Sequence, residues 1–283
     1  ILVQRNLKYL MYLTNPQSVV NKSEVKIEGI LIANSDIDTF SSVSLTLKDA
    51  EGNTIDAVSQ TGLALKKDDM VNFSFNKPLP LTVGEVNDFT IDVKLDTYSD
   101  VVKSNVRDLT FEPVKRVVLE EMTGTTCPNC PQGILAIEYM EKLFGDRFIP
   151  VSLHTYTGDP YSSSSLETYT QSLGLNAAPT GMIQRNGYIC APMSNASGSY
   201  QFSNEADLWL DFVSAEMDVP SYIGVSVPKA TLDEETNKLK MDIEIQSALN
   251  MKGQYLNVFP VALEDGLNNS QDNNLYGVSD PNL

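Results

Sequence analysis

Residues 114–130, VKRVVLEEMTGTTCPNC, decide how the centre of this chain is read. The run VKRVVLEEM is largely apolar, as expected of a strand buried on both faces. A polar turn, TGTTCPNC, follows it and leads into a helix from about Cys130 to Phe144. That helix places Ile134, Ile137, Met140 and Phe144 on one stripe and stops at Gly145. FIPVSLH (148–154) then reads as a second buried strand. A strand–helix–strand unit of this kind pairs its strands in parallel through a right-handed crossover.

Working forward, Ser164 and Glu167 form a capping-box pattern that opens a helix to about Leu173. The stretch AAPTGMIQ-RNG-YICAPM (177–193) reads as a hairpin. Its Asn186-Gly187 dipeptide predicts a type I′ turn, which needs positive φ at both central residues. A third helix is expected over about Asn204 to Met217, with Trp209 inside it. Working backward, Leu7 to Phe111 has period two. Val25, Ile27, Gly29, Leu31 and Ala33 alternate with polar neighbours, as do Val43, Leu45 and Leu47, then Phe89, Ile91, Val93 and Leu95. Short alternating runs between turn signals (DAEGN at 49–53, NKPLP at 76–80) predict an antiparallel immunoglobulin-like β-sandwich. Beyond Tyr222 the alternation returns in three runs, at 223–227, 239–245 and 256–261, before a polar stretch from Glu264.

The expected architecture is therefore multidomain: an all-β immunoglobulin-like sandwich over 1–112, a central α/β domain over 113–218 and a β-rich segment over 219–283. A chain of 283 residues is long enough to give more than one of these its own core. The formal charge of −17 argues against nucleic acid, whose phosphates demand a basic surface. Ile1 in place of Met is what removal of an export signal would leave, and equally what a shortened chain would show. Three cysteines are too few for a disulfide-stapled scaffold.

Two cysteines separated by two residues at a strand-to-helix turn form a chemically specific pair. One turn brings both sulfurs within bonding reach. The first sits where unpaired amides and the helix dipole favour a thiolate. Cys127 is thus the expected nucleophile and Cys130 the resolving thiol.

VLEEMTGTTCPNC resembles the active-site strand and motif of the thioredoxin superfamily, and LGLNAAPTGMIQRNG (173–187) resembles its proline segment. The order strand–CxxC–helix–strand–helix–Pro–hairpin–helix spans 114–217. The resemblance implies a cis Ala178-Pro179 bond lying beside the dithiol and helping to hold an extended substrate, with Pro128 and Asn129 lining the same place. It also places a buried acid near Glu121, able to exchange a proton with the resolving thiol. More narrowly, EEMTGTTCPNCPQG (120–133) is similar to a stretch of a Bacteroidetes outer-membrane lipoprotein family that joins a sandwich to such a domain. That family implies export and an outer-membrane or surface location, with any lipid anchor outside this chain. The motif departs from the thioredoxin pattern in having Thr126, not an aromatic residue, before the first cysteine. Pro128-Asn129 between the cysteines is closer to the glutaredoxin-like order, and this dipeptide bears strongly on redox poise.

Several alternatives stay open. Glu120 and Glu121 also read as a solvated pair at a strand end. His154 stands either near the dithiol or in a structural role. Cys127, Cys130, Cys190 and His154 add up to a Cys₃His zinc set. Against that set, pairing of Cys190 with Ile183 would put it roughly 13 Å from the proline end of the hairpin. No metal or cofactor is therefore expected. The two function classes are an exported thiol–disulfide oxidoreductase acting on protein thiols or disulfides, and a surface or outer-membrane-associated binding protein in which the CPNC disulfide is a staple.

Overall fold

The computed structural model describes residues 1–192 and 208–272. The chain divides into two compact units: 1–113 with 221–254, and 114–220 with the segment from Tyr255 onward. The expected third segment, 219–283, is thus shared between two bodies.

In the first unit the strands in chain order are β1 (Leu2–Arg5), β2 (Tyr9–Leu13), β3 (Ser18–Val20), β4 (Glu24–Val25), β5 (Glu28–Ala33), β6 (Phe40–Lys48), β7 (Thr54–Leu65), β8 (Met70–Ser74), β9 (Leu79–Pro80), β10 (Val86–Leu95) and β11 (Tyr98–Leu109). They form two main sheets, ordered β1-β2-β5-β8 and β3-β11-β10-β6-β7, with β4 and β9 paired separately. The period-two runs explain the architecture. Ile91, Val93 and Leu95 of β10 lie opposite Leu47, Leu45 and Val43 of β6, and all six are buried. Leu31 of β5 pairs with Met11 on one side and Val71 on the other. Both inner faces share one apolar core that includes Tyr9, Phe73, Phe75 and Phe89. The result is a β-sandwich compatible with the immunoglobulin-like expectation.

In the second unit β12 (Val117–Thr123) leads through the CPNC turn to α1 (Pro131–Phe144), then to β13 (Phe148–His154), α2 (Ser164–Ser172), β14 (Thr180–Ile183), β15 (Ile189–Cys190) and α3 (Leu208–Met217). The sheet order is β13-β12-β14-β15. β12 runs parallel to β13 and antiparallel to β14. Gly145 ends α1 at a positive φ of 57°, a conformation glycine adopts without a Cβ penalty. Helix α2 is capped one residue earlier than expected. Ser163 accepts the Leu166 amide proton, and Glu167 takes the Ser162 hydroxyl instead of closing a capping box. With the cap at Ser163, Glu167 is the fourth helical residue, one place too far along to reach back to the cap amide. The start expected for α3 near Asn204 lies outside the described residues.

The hairpin turn also differs from the expectation. Positive φ falls at Gln184, Arg185 and Gly187, not at Asn186. The reason is tertiary. Gln184 donates its amide to Val118 O and receives the Val118 amide on its side chain, while Arg185 is drawn to Glu120. Those ties open the turn, so Cys190 pairs with Gly181 and not with Ile183. It therefore lies two residues from Pro179 along the hairpin, nearer than the sequence pattern implied.

After Tyr222, β16 (Ile223–Asp233) and β17 (Lys238–Ser247) form a two-stranded hairpin in the first unit, anchored at its foot where Ala248 and Leu249 cluster with Leu109. The third expected strand does not form. Residues 255–272 have no regular secondary structure. Pro260 interrupts that run and removes a ladder donor.

Candidate functional site

Strand β12 builds the site because its side chains alternate between the two faces of the sheet. Val117, Leu119 and Glu121 point to the face packed by α1 and α3, where Trp209 is fully buried. Glu120 points to the other face, towards Tyr169 of α2. Both carboxylates are buried, at 2% exposure for Glu120 and 0% for Glu121, so they are not a solvated strand-end pair.

The two glutamates differ in kind. Glu120 is satisfied: Arg185 grips it with two hydrogen bonds of 2.8 Å, and the Tyr169 hydroxyl donates to it as well. Burial pushes its carboxyl up, but Arg185 and Tyr169 outweigh that and hold it below the ordinary range. Glu121 meets no cation among the described residues. Its Oε1 has no hydrogen-bond partner among the described residues, and the Ser152 hydroxyl reaches Oε2 only at 3.5 Å. Burial pushes the Glu121 carboxyl up to about 8, only slightly offset by Ser152. A carboxyl in this setting is protonated at neutral pH. Gly133, three residues past Cys130, permits the close approach: a Cβ there would overlap Glu121 Oε1 and crowd Trp209.

The cysteines lie where β12 gives way to α1. Cys127 and Cys130 form a disulfide with a Cα–Cα distance of 5.4 Å. The Cys127 amide donates to Gly124 O and the Cys130 amide to Cys127 O, so the dithiol spans two successive tight turns. Cys130 is the N-cap of α1, with Pro131 as its first helical residue. Cys127 precedes the helix. Pro128 is half-buried and Asn129 exposed, while Cys127 and Cys130 are 1% and 0% exposed. That burial runs against the open access expected for the nucleophile.

The Ala178-Pro179 bond is cis, and both residues are half-buried. Thr180, the next residue, pairs with Met122 near the end of β12. The proline segment and the CPNC turn therefore meet the same end of the central strand.

His154 ends β13 opposite Thr123. Its Nδ1 lies 3.1 Å from Asp159 Oδ2, and the same oxygen accepts the Thr125 amide at 2.6 Å. Asp159 Oδ1 accepts the Tyr161 amide at 2.8 Å. Burial raises the Asp159 carboxyl, but these hydrogen bonds prevail and hold it low. Histidine thus acts on the turn through Asp159. Sequence reading passed over Asp159. Its Asp-Pro context signals a local turn, but nothing local reveals the bond to Thr125, 34 residues away. Asp159→Ala should cost about 2–3 kcal/mol by stranding the buried Thr125 amide. Urea unfolding measures this, and a loss below about 0.5 kcal/mol would show that the turn holds without it.

The four residues of the candidate zinc set are otherwise engaged. Cys127 and Cys130 bond each other, His154 meets Asp159, and Cys190 is buried, its carbonyl accepting the Trp209 indole N–H at 3.0 Å. Among the described residues no three histidine, cysteine or acidic side chains gather as a metal-ligand set. No helix among them is long and apolar enough to cross a membrane.

No protein-family model matches the chain, and no curated protein matches it. Among solved structures, a glycosyl hydrolase family 2 member from Bacteroides cellulosilyticus DSM 14838 is 14% identical, with a TM-score of 0.28, over 47% of this chain and 22% of that one. A β-galactosidase described as putative, from Bacteroides fragilis, is 12% identical at a TM-score of 0.26, over 58% of this chain and 27% of that one. A β-glucuronidase 2 calcium-binding mutant from Bacteroides uniformis is 10% identical at 0.25, over 53% and 24%. This chain spans about a quarter of the length of these proteins. Similarity at that level carries no argument about its function.

Proposed function

We propose that the second unit is a thioredoxin-like domain and that the protein is an exported thiol–disulfide oxidoreductase working through Cys127 and Cys130. The observation that carries this reading is the disulfide at the start of α1, at the same end of β12 as a cis-proline segment, with a buried, uncompensated carboxyl beneath the helix. In the reducing direction the Cys127 thiolate attacks a client disulfide and forms a mixed disulfide, releasing one client thiolate. Cys130 then attacks the Cys127 sulfur and releases the second client thiolate. The client is reduced, and the Cys127–Cys130 bond seen here is the oxidised product. In its ionised form, populated as pH approaches about 8, Glu121 takes the proton of the Cys130 thiol as that thiol becomes the attacking group. Ala178 and Pro179 flank the client chain, together with Pro128 and Asn129. The likeness of EEMTGTTCPNCPQG to an outer-membrane lipoprotein stretch supports placement in the cell envelope.

A second reading, a binding protein with a structural CPNC staple, is favoured by one observation: both half-cystines are buried. Insulin-disulfide reduction, with dithiothreitol as the electron source, separates the two. Wild type should precipitate insulin well above the dithiothreitol background, and Cys127→Ser should not. Equal rates for the two would establish the staple.

A further inference from the structure

We infer that residues 271–272 of this chain form a strap across the CPNC turn and shield its disulfide from other thiols. The turn presents a row of backbone carbonyls at Gly124, Thr125 and Cys127. The Gln271 side-chain amide donates to Cys127 O at 2.9 Å and to Gly124 O at 3.3 Å. The Asp272 backbone amide donates to Thr125 O at 2.8 Å. Three carbonyls flanking the dithiol are thus engaged by two consecutive residues that lie more than 140 positions away in sequence.

The strap explains a combination that the turn alone does not. Pro128 and Asn129 are at least partly open to solvent, yet the sulfur-bearing residues on either side of them are buried. The strap is also built to release. Residues 255–272 have no ladder or helix to hold them, and most are exposed. Besides the three hydrogen bonds, the segment is fixed by the Phe259 ring, 5.9 Å from the Arg185 guanidinium that grips Glu120. Each such contact is worth only about 1 kcal/mol net in water. The occupant of this surface is the chain itself, and a client must displace it. For its biological meaning this inference rests on the exchange reading above; the contact itself is independent of it.

The test uses the full-length oxidised chain and dithiothreitol as the probe, with alkylation and mass spectrometry following the appearance of the Cys127 and Cys130 thiols. The variant Gln271→Ala/Asp272→Pro removes both donor groups, and with them all three hydrogen bonds, from exposed or half-exposed positions. Its disulfide should be reduced about tenfold faster than that of wild type, the effect of losing a few weak hydrogen bonds. Equal rates overturn the strap. As a check that needs no variant, the Asp272 amide should exchange with solvent at least about tenfold more slowly than in a free peptide. Exchange at the free-peptide rate also overturns it. A variant opened to dithiothreitol that still leaves insulin intact would support the strap and reject the exchange reading. A wild type that reduces insulin readily, with a variant that changes neither rate, would do the reverse.

Discussion

Cys130→Ser, reduced and mixed with envelope proteins, will accumulate mixed disulfides through Cys127, whereas Cys127→Ser will accumulate none. The asymmetry comes from position. Cys127 precedes α1 and Cys130 is its N-cap; both are buried, so the asymmetry rests on their place along the turn and not on exposure. Deleting the resolving thiol blocks the step that frees the client, so the intermediate persists. Non-reducing electrophoresis, followed by identification of the linked peptide, reads the outcome. Capture in the Cys130→Ser variant should exceed capture in Cys127→Ser by a hundredfold or more, on the order of what loss of an essential nucleophile costs. Trapping by Cys127→Ser instead would exchange the roles of the two residues, and trapping by neither would leave a staple. Combining Cys130→Ser with the strap substitutions should raise the yield further.

The second large effect belongs to Glu121. Its folded carboxyl titrates near 8, against an ordinary value of 4.5. Between those two pH values the folded protein keeps a proton that the unfolded chain has released. Stability therefore falls as pH rises from about 4.5 to about 8 and levels off above that. Integrated over the window, the loss is on the order of 3–5 kcal/mol for a fully buried group. Glu121→Gln keeps the shape and removes the titration, so its unfolding free energy should lack this decline and exceed that of wild type at pH 8. Urea denaturation of the oxidised proteins from pH 4.5 to 9 tests this. Parallel curves would mean that Glu121 titrates as an ordinary surface acid. Asp159 works in the opposite direction: its folded carboxyl is held low, so its contribution is present above the ordinary carboxylate range and disappears as pH falls through the lowered value. The two windows are separate: Asp159 acts below the ordinary carboxylate range, and Glu121 between about 4.5 and about 8, where the difference between wild type and Glu121→Gln isolates it.

Much of this architecture was legible in local pattern. Phe89, Ile91, Val93 and Leu95 alternate because β10 has one face on the core, and the structure buries all four. The stripe of Ile134, Ile137 and Met140 marked α1 for the same reason, a repeat close to the helical period. The disulfide was legible too, because two cysteines three positions apart at a helix start are close in any fold that keeps the turn. Glu120 and Glu121 show the limit of such reading. Adjacent acids look like a solvated pair, yet a strand buried on both faces sends one to each side. There Arg185 neutralises one, and among the described residues no cation meets the other.

What the sequence determined by itself is whatever depends on neighbours a few residues apart: the period of each strand and helix, the stop at Gly145 and the reach between Cys127 and Cys130. What only the tertiary structure decided is whatever depends on partners far along the chain. Asn186-Gly187 predicted a tight turn, but Gln184 bonds Val118 and Arg185 bonds Glu120, and these ties outweigh the local preference of the dipeptide. The run at 256–261 has strand-like alternation, but a strand needs an edge to pair with, and Pro260 removes one of its donors. Exposure of the dithiol is a third case. The CPNC turn alone predicts an accessible Cys127, yet the residue is 1% exposed, and Gln271 and Asp272 lie against Gly124, Thr125 and Cys127. Hydrogen bonds between groups more than a hundred residues apart leave no periodic trace in a sequence, because chain closure, not local conformation, brings them together.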